Sequence, residues 1–344
     1  MITSGCEVSD FAGFTPGNVA LLQRGGCTFG AKVINAQNAG AAAAIVSNQG
    51  NVPSPTSPPP RSDIFPGATV GTPALIPAIF VRFPIGRELS TASTTVSITR
   101  QTENEVRPTW NVLAELAPKH LKKAGKTVVV SAPLDPAVAG PGANHSTGAS
   151  TILTIAEEMA EAKPPANPVR FAFWGAEEPL HRGSKHYVAS LSQAELAKIG
   201  LDLDFGWLGA TNFARFVIDG DGSVTGTPKP AGSGAIEQTL NSYFASQGVV
   251  TTQATESAFE GRAEPFVAAG IPVGGLSSGG DAEKSEAEAQ IFGGVAGQHY
   301  DPCYGLPCDT VASNVNTTVL DQMADGAAHV IAVYAKSDKG KGKG

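Results

Sequence analysis

The sequence predicts an α/β protein in which a mainly parallel central sheet is flanked by helices and is preceded by a small second α/β unit. From Trp110 onward, apolar runs of strand length alternate with amphipathic helical segments, which is the pattern of a parallel sheet with crossover helices. The residues before Trp110 show the same alternation on a smaller scale. Composition agrees, because 344 residues, of which 42% are hydrophobic, can bury one large core or two medium ones.

In the smaller unit, short apolar runs bounded by Gly-rich turns predict strands, and helical spacing predicts the segment between them. Phe29, Val33 and Ala36 share one face of that helix. The expected elements are a strand at 18–24, a helix at 29–38, strands at 41–47 and 76–81, a helix at 84–90 and an edge strand at 93–99. The Pro- and Ser-rich stretch 48–75 is expected to be irregular, and 100–109 to be a linker.

In the larger unit, buried strands alternate with amphipathic helices. Ile152, Ile155 and Met159 share one face of the segment 151–162, which predicts a helix that packs on the sheet. The expected strands are 112–116, 127–132, 169–174, 201–208, 213–218 and 271–276, and the expected helices are 151–162, 180–190, 193–199, 233–246, 265–269 and 317–335. These elements predict a first unit at 1–105, a second at 106–335 and a basic, disordered tail at 336–344.

The charge and the lack of long apolar runs argue against two classes of partner. The chain has 24 basic and 31 acidic residues and a net charge of −7, so we expect no nucleic-acid partner. No run approaches the roughly 18 apolar residues that a membrane span requires, so we expect no span. Met1 is not followed by a basic and apolar leader, so no signal peptide is expected in this chain.

The four cysteines fall into two local pairs, Cys6 with Cys27 and Cys303 with Cys308. An even count at close spacing is typical of two disulfides and of an oxidising compartment. Four unrelated buried thiols are the alternative interpretation. Neither pair has the spacing of a zinc knuckle, because no partner pair of His or Cys accompanies it.

Four segments carry most of the signal for function. They read Val128-Val-Val-Ser-Ala-Pro-Leu-Asp135, Gly140-Pro-Gly-Ala-Asn-His145, Phe173-Trp-Gly-Ala-Glu-Glu178 and Asp301-Pro-Cys-Tyr-Gly305. Two further strings, Gly183-Ser-Lys-His-Tyr-Val188 and Gly270-Ile-Pro-Val-Gly-Gly-Leu276, lie between the third and the fourth of these segments. With these strings, the second unit resembles metallopeptidase family 28, the co-catalytic zinc aminopeptidases.

The first unit resembles the protease-associated domain that some secreted members of that family carry. The matching residues are Gly5-Cys6, Leu22-Gln-Arg-Gly-Gly-Cys-Thr-Phe29, Lys32 and Ala39-Gly-Ala41. Such domains are lids or interaction modules without chemistry of their own. Nothing in the chain corresponds to the front helices and strands of the family, so we expect an N-terminally truncated chain with an incomplete first unit.

The resemblance implies a peptide hydrolase that removes N-terminal residues with two zinc ions. Such ions lower the pKa of a bridging water toward about 7 and polarise the scissile carbonyl. Each ion needs about three protein ligands, drawn from imidazole, carboxylate or thiolate groups. A free carboxylate takes the proton of the water and passes it to the leaving amine.

Matched residue by residue, the carboxylates for catalysis are kept but most metal ligands are not. By resemblance, Glu177 is at the general-base position, Glu178 at a zinc-ligand position, and Asp135 at the position that orients the first histidine ligand. The other four ligand positions hold Pro133, His145, Gly206 and Gly305. Proline and glycine offer no donor, and an imidazole does not usually bridge two ions. The segment Phe259–Phe266 is also shorter than the corresponding family loop and lacks its Ser-Asp pair.

This replacement of ligands predicts that zinc is absent or weakly bound. The leading hypothesis is a secreted, non-catalytic homologue of the aminopeptidases that binds peptides or glycans or has a structural role. One alternative is an active aminopeptidase rebuilt around a single ion, held by His145, Glu178 and either Asp135 or Asp204. Another is an extracellular structural protein that associates with copies of itself.

The same residues also have an interpretation without metal chemistry. Carboxylates such as Glu177 and Glu178 are common at a helix start, where they interact favourably with the macrodipole. Asp135 is then a turn residue and His145 a loop histidine.

Two sequons agree with an extracellular location. Asn144 is followed by His-Ser and Asn316 by Thr-Thr, so both are candidate glycosylation sites. A glycan on Asn144 would fill the mouth of the cleft beside His145. Together with the paired cysteines, these sequons lead us to expect a secreted glycoprotein.

Overall fold

The chain folds into two compact units, each with its own hydrophobic core. The computed structural model describes residues 5–50, 74–91, 95–99, 107–136, 140–178, 181–254 and 262–336. The first unit comprises Met1–Arg107 and the second Pro108–Gly344. Both are α/β, as the sequence predicts.

The first unit is a small parallel sheet with helices. Its strands are β1 (Val19–Gln23), β2 (Ala43–Ser47) and β3 (Ala78–Val81), paired in that order. Its helices are α1 (Phe29–Asn38) and α2 (Phe83–Thr91), with a 3-10 turn at Val8–Phe11. Thr28 begins α1, because its side chain accepts the amide hydrogen of Ala31.

Both predicted disulfides are confirmed. Cys6 bonds to Cys27 and ties the start of the first unit to the turn before α1. Cys303 bonds to Cys308 and closes a short loop in the second unit. No free cysteine remains, because these pairs account for all four.

The predicted strands and helices of the first unit are confirmed, apart from one edge strand. The prediction of a strand at 93–99 is wrong for 95–99, which lie outside any strand. The alternation there is made mostly of Ser and Thr, which give an edge strand little apolar surface to bury. Most of the stretch 48–75 and of the linker 100–109 lies outside the described residues.

The second unit is built on a seven-stranded sheet in its described part. The strands are β4 (Val112–Leu116), β5 (Thr127–Pro133), β6 (Val169–Trp174), β7 (Ile199–Phe205), β8 (Phe216–Ile218), β9 (Thr252–Ala254) and β10 (Val273–Ser277). Their order is β4-β6-β5-β7-β10-β8-β9. The central strands β6, β5, β7 and β10 run parallel, whereas β4 and β8 pair antiparallel with β6 and β10. The predicted mainly parallel central sheet is confirmed.

Helices cover both faces of this sheet. They are α3 (Thr147–Glu161), α4 (Arg182–Ser190), α5 (Gln193–Leu196), α6 (Ser233–Ser246), α7 (Glu264–Ala268), α8 (Glu286–Phe292), α9 (Val311–Asn314) and α10 (Thr317–Lys336), with a 3-10 turn at Leu121–Lys123. One core joins the sheet to α3, α6 and α10, and another joins it to α4, α7 and α8. Among the helices of the described residues, none has both the length and the apolar character needed to cross a membrane.

The departures from the predicted elements lie mostly in short or polar segments. Helix α3 begins at Thr147, before the predicted start at 151, and β7 ends at Phe205 instead of 208. The sequence does not predict β9, α8 or α9, because such short segments show no clear periodicity.

The sheet places two of the four family-like segments, 128–135 and 173–178, and position 206 at one edge. Pro133 is the last residue of β5, and Trp174 is the last residue of β6 and its register partner. Gly206 directly follows β7. Because these strands are parallel, the loops at their carboxyl ends meet, which is the usual place for a ligand site in such a sheet.

Lys284 is a buried cation in the second unit. It is 1% exposed, its Nζ donates to the carbonyl of Phe213, and it lies 5.2 Å from the centroid of the Phe213 ring and 6.0 Å from that of Phe292. Burial lowers the pKa of Lys284 to about 8, although the charge of Glu288 opposes this shift. A lysine whose pKa is lower in the folded state destabilises the fold while it is protonated there, and this penalty decreases as the pH rises.

We expect Lys284→Met to remove a pH dependence of stability. The folded pKa of about 8 lies below the ordinary value of 10.5, so the free energy of unfolding of the parent should rise with pH between these values. The full effect is about 3 kcal/mol. Loss of the bond to the Phe213 carbonyl adds an offset that does not depend on pH. Chemical denaturation of both proteins from pH ~7 to ~10 measures the difference, and parallel pH profiles would contradict the buried ammonium.

Candidate functional site

The loop between β5 and α3 meets the loops after β6 and β7 through short polar contacts. His145 Nε2 lies 2.8 Å from Glu178 Oε1. Asp135 Oδ1 accepts the amide hydrogen of Glu177 at 2.8 Å, and Trp207 Nε1 donates to His145 Nδ1 at 2.5 Å. The structure therefore brings together the candidate residues of three segments, and it adds a tryptophan to them.

Asp135 holds the loop after β6. Its two carboxylate oxygens accept the amide hydrogens of Glu177 at 2.8 Å and Glu178 at 3.2 Å. Burial raises the pKa of Asp135, and these two hydrogen bonds oppose that shift. The histidine that the resemblance pairs with this carboxylate is replaced by Pro133. In this chain the Asp135 carboxylate orients the backbone amides of Glu177 and Glu178.

Glu177, at the general-base position, is 0% exposed and caps a helix. Its Oε2 accepts the amide hydrogen of Ser184 at 2.9 Å, and its Oε1 accepts the Ser184 hydroxyl at 2.7 Å. Ser184 lies in the first turn of α4, where amide hydrogens lack partners within the helix. His181 Nδ1 lies 3.6 Å from the same Oε1. This geometry agrees with the interpretation of Glu177 as a helix-start carboxylate.

The loop that carries Glu177 and Glu178 has a strained backbone. Ala176 and His181 bracket it, and each has a φ of 54°, in the left-handed region. That conformation costs an L-residue other than glycine about 1–2 kcal/mol. Two backbone hydrogen bonds compensate, from His181 to the Glu177 carbonyl at 2.7 Å and from Arg182 to the Ala176 carbonyl at 3.1 Å. Strain of this kind is concentrated at present or former functional sites.

The contacts of His145 decide whether it can bind a metal. An indole N–H only donates, so His145 Nδ1 accepts from Trp207 Nε1 and carries no proton itself. In the neutral ring the proton is then on Nε2, which faces Glu178 Oε1 at 2.8 Å. This contact is a close electrostatic one, because its angle is not that of a hydrogen bond. In this arrangement neither nitrogen offers a lone pair, and Glu178 is engaged by the same ring.

Gly206 leaves space for the side chain of Arg262. A Cβ atom at position 206 would lie 2.1 Å from a terminal nitrogen of Arg262 and 2.7 Å from its Cζ. Arg262 is 3% exposed, and its Nε donates to Asp204 Oδ2 at 3.1 Å. Its Cζ lies 4.6 Å from the centroid of the Trp207 ring. Where the resemblance expects a ligand aspartate, the structure has a guanidinium.

Asp202 and Asp204 lie at alternate positions of β7 and are both buried. Burial raises the pKa of Asp204, and the charge of Arg262 opposes this. Burial and the charge of Asp204 raise the pKa of Asp202 well above its ordinary value, although Ser131 donates to it at 2.9 Å. A buried acidic pair of this kind requires a nearby positive charge if both groups are to ionise.

The two other replaced positions also lack donors. Pro133 is buried at the end of β5. Gly305 has a φ of 67° in the loop closed by the second disulfide. The ring of Tyr304, its neighbour, lies 6.5 Å from that of His145 and 6.1 Å from that of Trp207, centroid to centroid. Aromatic rings thus line the space where further ligands would be needed.

Asn144 belongs to a buried network, which corrects the prediction of a glycan there. It is 0% exposed, its Nδ2 donates to Asp301 Oδ2 at 2.9 Å, and its Oδ1 accepts the amide hydrogen of Gly209 at 3.2 Å. Asp301 also accepts from Asn314 at 2.5 Å. A buried amide nitrogen that donates to a carboxylate has no room for a glycan in this fold. Glycosylation of Asn316 stays a prediction.

The side chains around Glu178 do not fit a zinc site. Among the described residues, the only group of at least three His, Cys, Asp or Glu with ligand atoms within 4.8 Å of one another is Asp219, Asp221 and Glu237. That group lies in the loop after β8 and on α6, and its oxygens accept amide hydrogens of the same loop. Beside Glu178 the structure offers one imidazole, whose Nδ1 accepts from Trp207 and whose Nε2 contacts Glu178 without a hydrogen bond. A zinc ion needs about three donors, so the described residues do not fit the metal.

Three residues that shape this site are not among those predicted from the sequence: Trp207, Arg262 and Ser184. Trp207 lies within the predicted strand 201–208, where a tryptophan resembles any other core residue. Arg262 lies in the segment that is shorter than the family loop. This difference in length is the sequence feature that could have pointed to Arg262. Ser184 lies in a matching string for which the resemblance gives no role in catalysis.

Known proteins are similar in sequence to this chain. The pattern of Peptidase family M28 matches residues 111–331, and that of the PA domain matches residues 2–89. An aminopeptidase of Pseudomonas aeruginosa is 39% identical over 341 residues, which cover 98% of this chain and 61% of that protein. Leucine aminopeptidase 2 of Trichophyton rubrum is 36% identical over 352 residues, covering 98% of this chain and 66% of that protein. The chain therefore spans only 61% and 66% of the length of these two relatives.

Solved structures share its fold. A zinc aminopeptidase from Bacillus subtilis has a TM-score of 0.66 at 24% identity and covers 98% of this chain and 74% of that one. An aminopeptidase from an Aneurinibacillus species has a TM-score of 0.69 at 23% identity, covering 97% and 74%. At such identities the likeness shows the fold alone.

In the variant Trp207→Phe, we expect His145 to populate both neutral tautomers. The variant keeps an aromatic ring but loses the N–H that holds Nδ1 as an acceptor. Nitrogen-detected NMR of the imidazole should show a protonated Nε2 and a bare Nδ1 in the parent, and a mixture of tautomers in the variant. Stability should fall by about 1–2 kcal/mol.

The matched control is Trp110→Phe, because Trp110 is 72% exposed. Its imidazole spectrum should be that of the parent. A parent in which Nδ1 of His145 carries the proton would refute the assignment.

Asn144→Ala should destabilise the protein by about 2–3 kcal/mol, because it leaves the buried oxygen of Asp301 and the amide of Gly209 without this partner. Asn316→Ala is the control, since the side chain of Asn316 accepts the amide hydrogen of Val319 near the start of α10 and loss of this bond should cost about 1 kcal/mol. Denaturation midpoints measure both. Mass spectrometry of protein from a glycosylating host should find Asn144 unmodified, and a glycan on it in folded protein would overturn the burial.

Proposed function

The chain belongs to peptidase family M28, and we propose that it is a non-catalytic member in which protein groups fill the former metal centre. Its relatives are named aminopeptidases. The core strands keep their apolar pattern, whereas the replacements fall on the zinc positions. General decay would have scattered polar residues through the core as well. The proposed role is therefore to bind peptides or glycans or to serve as a structural component.

One observation carries this proposal: Glu178 and His145 engage each other. Glu178 is the one ligand position with its family residue, and His145 is the other position with any donor. Their 2.8 Å contact and the hydrogen bond from Trp207 occupy the groups that an ion would need. For zinc to bind, both the Trp207 hydrogen bond and the Glu178 contact would have to break.

The carboxylate of Glu177 would have no activated water to deprotonate. Without the ions, the pKa of water is near about 15.7 instead of about 7. Glu177 is also turned to Ser184, with hydrogen bonds to both carboxylate oxygens. Hydrolysis therefore lacks both the nucleophile and the electrostatic stabilisation of the transition state.

An active site rebuilt around one ion finds no support in the geometry. It would need Asp135 or Asp204 as a third ligand. Asp135 accepts two amide hydrogens, and Asp204 accepts from Arg262. Both carboxylates are thus committed to other partners.

We place the protein outside the cell, in an oxidising compartment. The two disulfides support this location, since disulfides persist where glutathione and thioredoxin do not reduce them. Zinc, which the family uses, is proposed to be absent or weakly held here.

The purified protein is expected to contain far less than one zinc per chain and to leave leucine p-nitroanilide uncleaved. The aminopeptidase of Pseudomonas aeruginosa, prepared in the same zinc-supplemented medium, is the positive control. Turnover by this chain should be at least about a thousandfold lower. Metal analysis and the release of nitroaniline measure the two quantities.

Glu178→Gln separates a trace contaminant from a real site. If the parent has no metal centre, the variant and the parent should show the same residual rate, with or without chelator. Stoichiometric zinc together with turnover that both chelator and Glu178→Gln abolish would overturn the proposal.

A further inference from the structure

We propose that the guanidinium of Arg262 takes the electrostatic place of the metal, so that the second unit folds without an ion. This proposal deepens the proposed function and rests on it. The metals of an active relative would neutralise the carboxylates at the edge of the sheet. In this chain the Asp204 carboxylate is still buried there, and an internal cation lies against it.

The guanidinium of Arg262 takes the space beside Gly206. Position 206 is a glycine, and any Cβ there would meet the terminal nitrogen of Arg262 at 2.1 Å. The backbone of Gly206 has no positive φ, so its conformation alone does not require glycine. The close approach of the guanidinium is what excludes a side chain. An aspartate at 206 and the observed position of Arg262 are mutually exclusive.

Asp204 and Arg262 form a buried ion pair. Asp204 is 2% exposed and Arg262 is 3% exposed, with Nε and Oδ2 3.1 Å apart. An isolated buried carboxylate is strongly destabilising, and the removal of one member of a buried ion pair costs far more than the pair contributes. Asp204 therefore needs a counter-ion inside the protein to be ionised, and Arg262 is the cation that bonds to it.

The ring of Trp207 orients the guanidinium of Arg262. The guanidinium lies over the ring of Trp207, with Cζ 4.6 Å from its centroid, a cation–π distance. Trp207 is itself held, because its Nε1 donates to His145. The ring fixes where the cation lies, and the same residue engages the remaining imidazole. Arg262 and His145 are thus parts of one metal-free arrangement.

A double-mutant cycle on Arg262 and Asp204 tests the proposal. Arg262→Met keeps the length of the stem but removes the charge, and it should lower the folding equilibrium constant at least about a hundredfold. Asp204→Asn added to Arg262→Met should recover at least about tenfold of that loss. Arg262→Lys should lie between parent and Arg262→Met. The cycle is read from denaturation midpoints in the presence of chelator.

The exposed pair of Arg170 and Glu115 is the matched control. Its side chains are 27% and 43% exposed. Glu115→Gln should change the constant less than about fivefold. If Arg262→Met does not fold, the double variant should; failure of both to fold, or additive effects of the two changes, would refute the counter-ion role.

Gly206→Ala provides a second readout that loss of packing alone would not give. In the parent, the new methyl group should collide with the guanidinium and lower the midpoint clearly. In the Arg262→Met background the same change should have little effect, because the colliding atoms are gone. Equal effects in the two backgrounds would show that Arg262 does not occupy this space.

These results are separable from the proposed function. Additive behaviour in a protein without zinc or activity would remove the role of Arg262 and leave the non-catalytic proposal standing. Strong coupling in a protein that binds zinc and hydrolyses peptides would remove the non-catalytic proposal. In that case Arg262 would be a counter-ion beside a working metal centre, and its claim to the place of the metal would fall as well.

Discussion

The indole of Trp207 is the group on which the rest of the site depends. Its N–H fixes the tautomer of His145, and its ring face supports the guanidinium of Arg262. At 1% exposure, the ring is buried beside the rings of His145 and Tyr304. Because a tryptophan can donate one hydrogen bond and offer one π-face at once, a single side chain contacts both His145 and Arg262.

The sheet explains why carboxylates are concentrated at this site and why each of them needs a partner. Parallel strands bring the ends of β5, β6 and β7 to one edge, and carboxylates of Asp135, Glu177 and Asp204 lie near it whether or not a metal is present. Each carboxylate is stabilised by a different hydrogen-bond donor. Asp135 accepts backbone amides, Glu177 caps α4, and Asp204 faces Arg262. Among the described residues, each of these carboxylates thus has a hydrogen-bond donor of the protein as its partner.

Much of the fold could be predicted from the sequence, because long apolar strands and helices such as 169–174 and 233–246 have clear periodicity. Both disulfides followed from local spacing. The partners of the site could not be predicted in the same way. That Trp207 donates to His145, or that Asn144 is buried against Asp301, depends on residues far apart in the chain. The position of Arg262 beside Gly206 likewise depends on how the residues around β7 and α7 pack together.

The central proposal is that protein groups occupy the place of a dinuclear centre. Its most direct test is a crystal structure of this chain grown in excess zinc, with anomalous data collected at the zinc absorption edge. The account predicts no anomalous peak between His145 and Glu178, with the imidazole still against the carboxylate. One or two strong peaks there, with Arg262 displaced from Gly206, would contradict it.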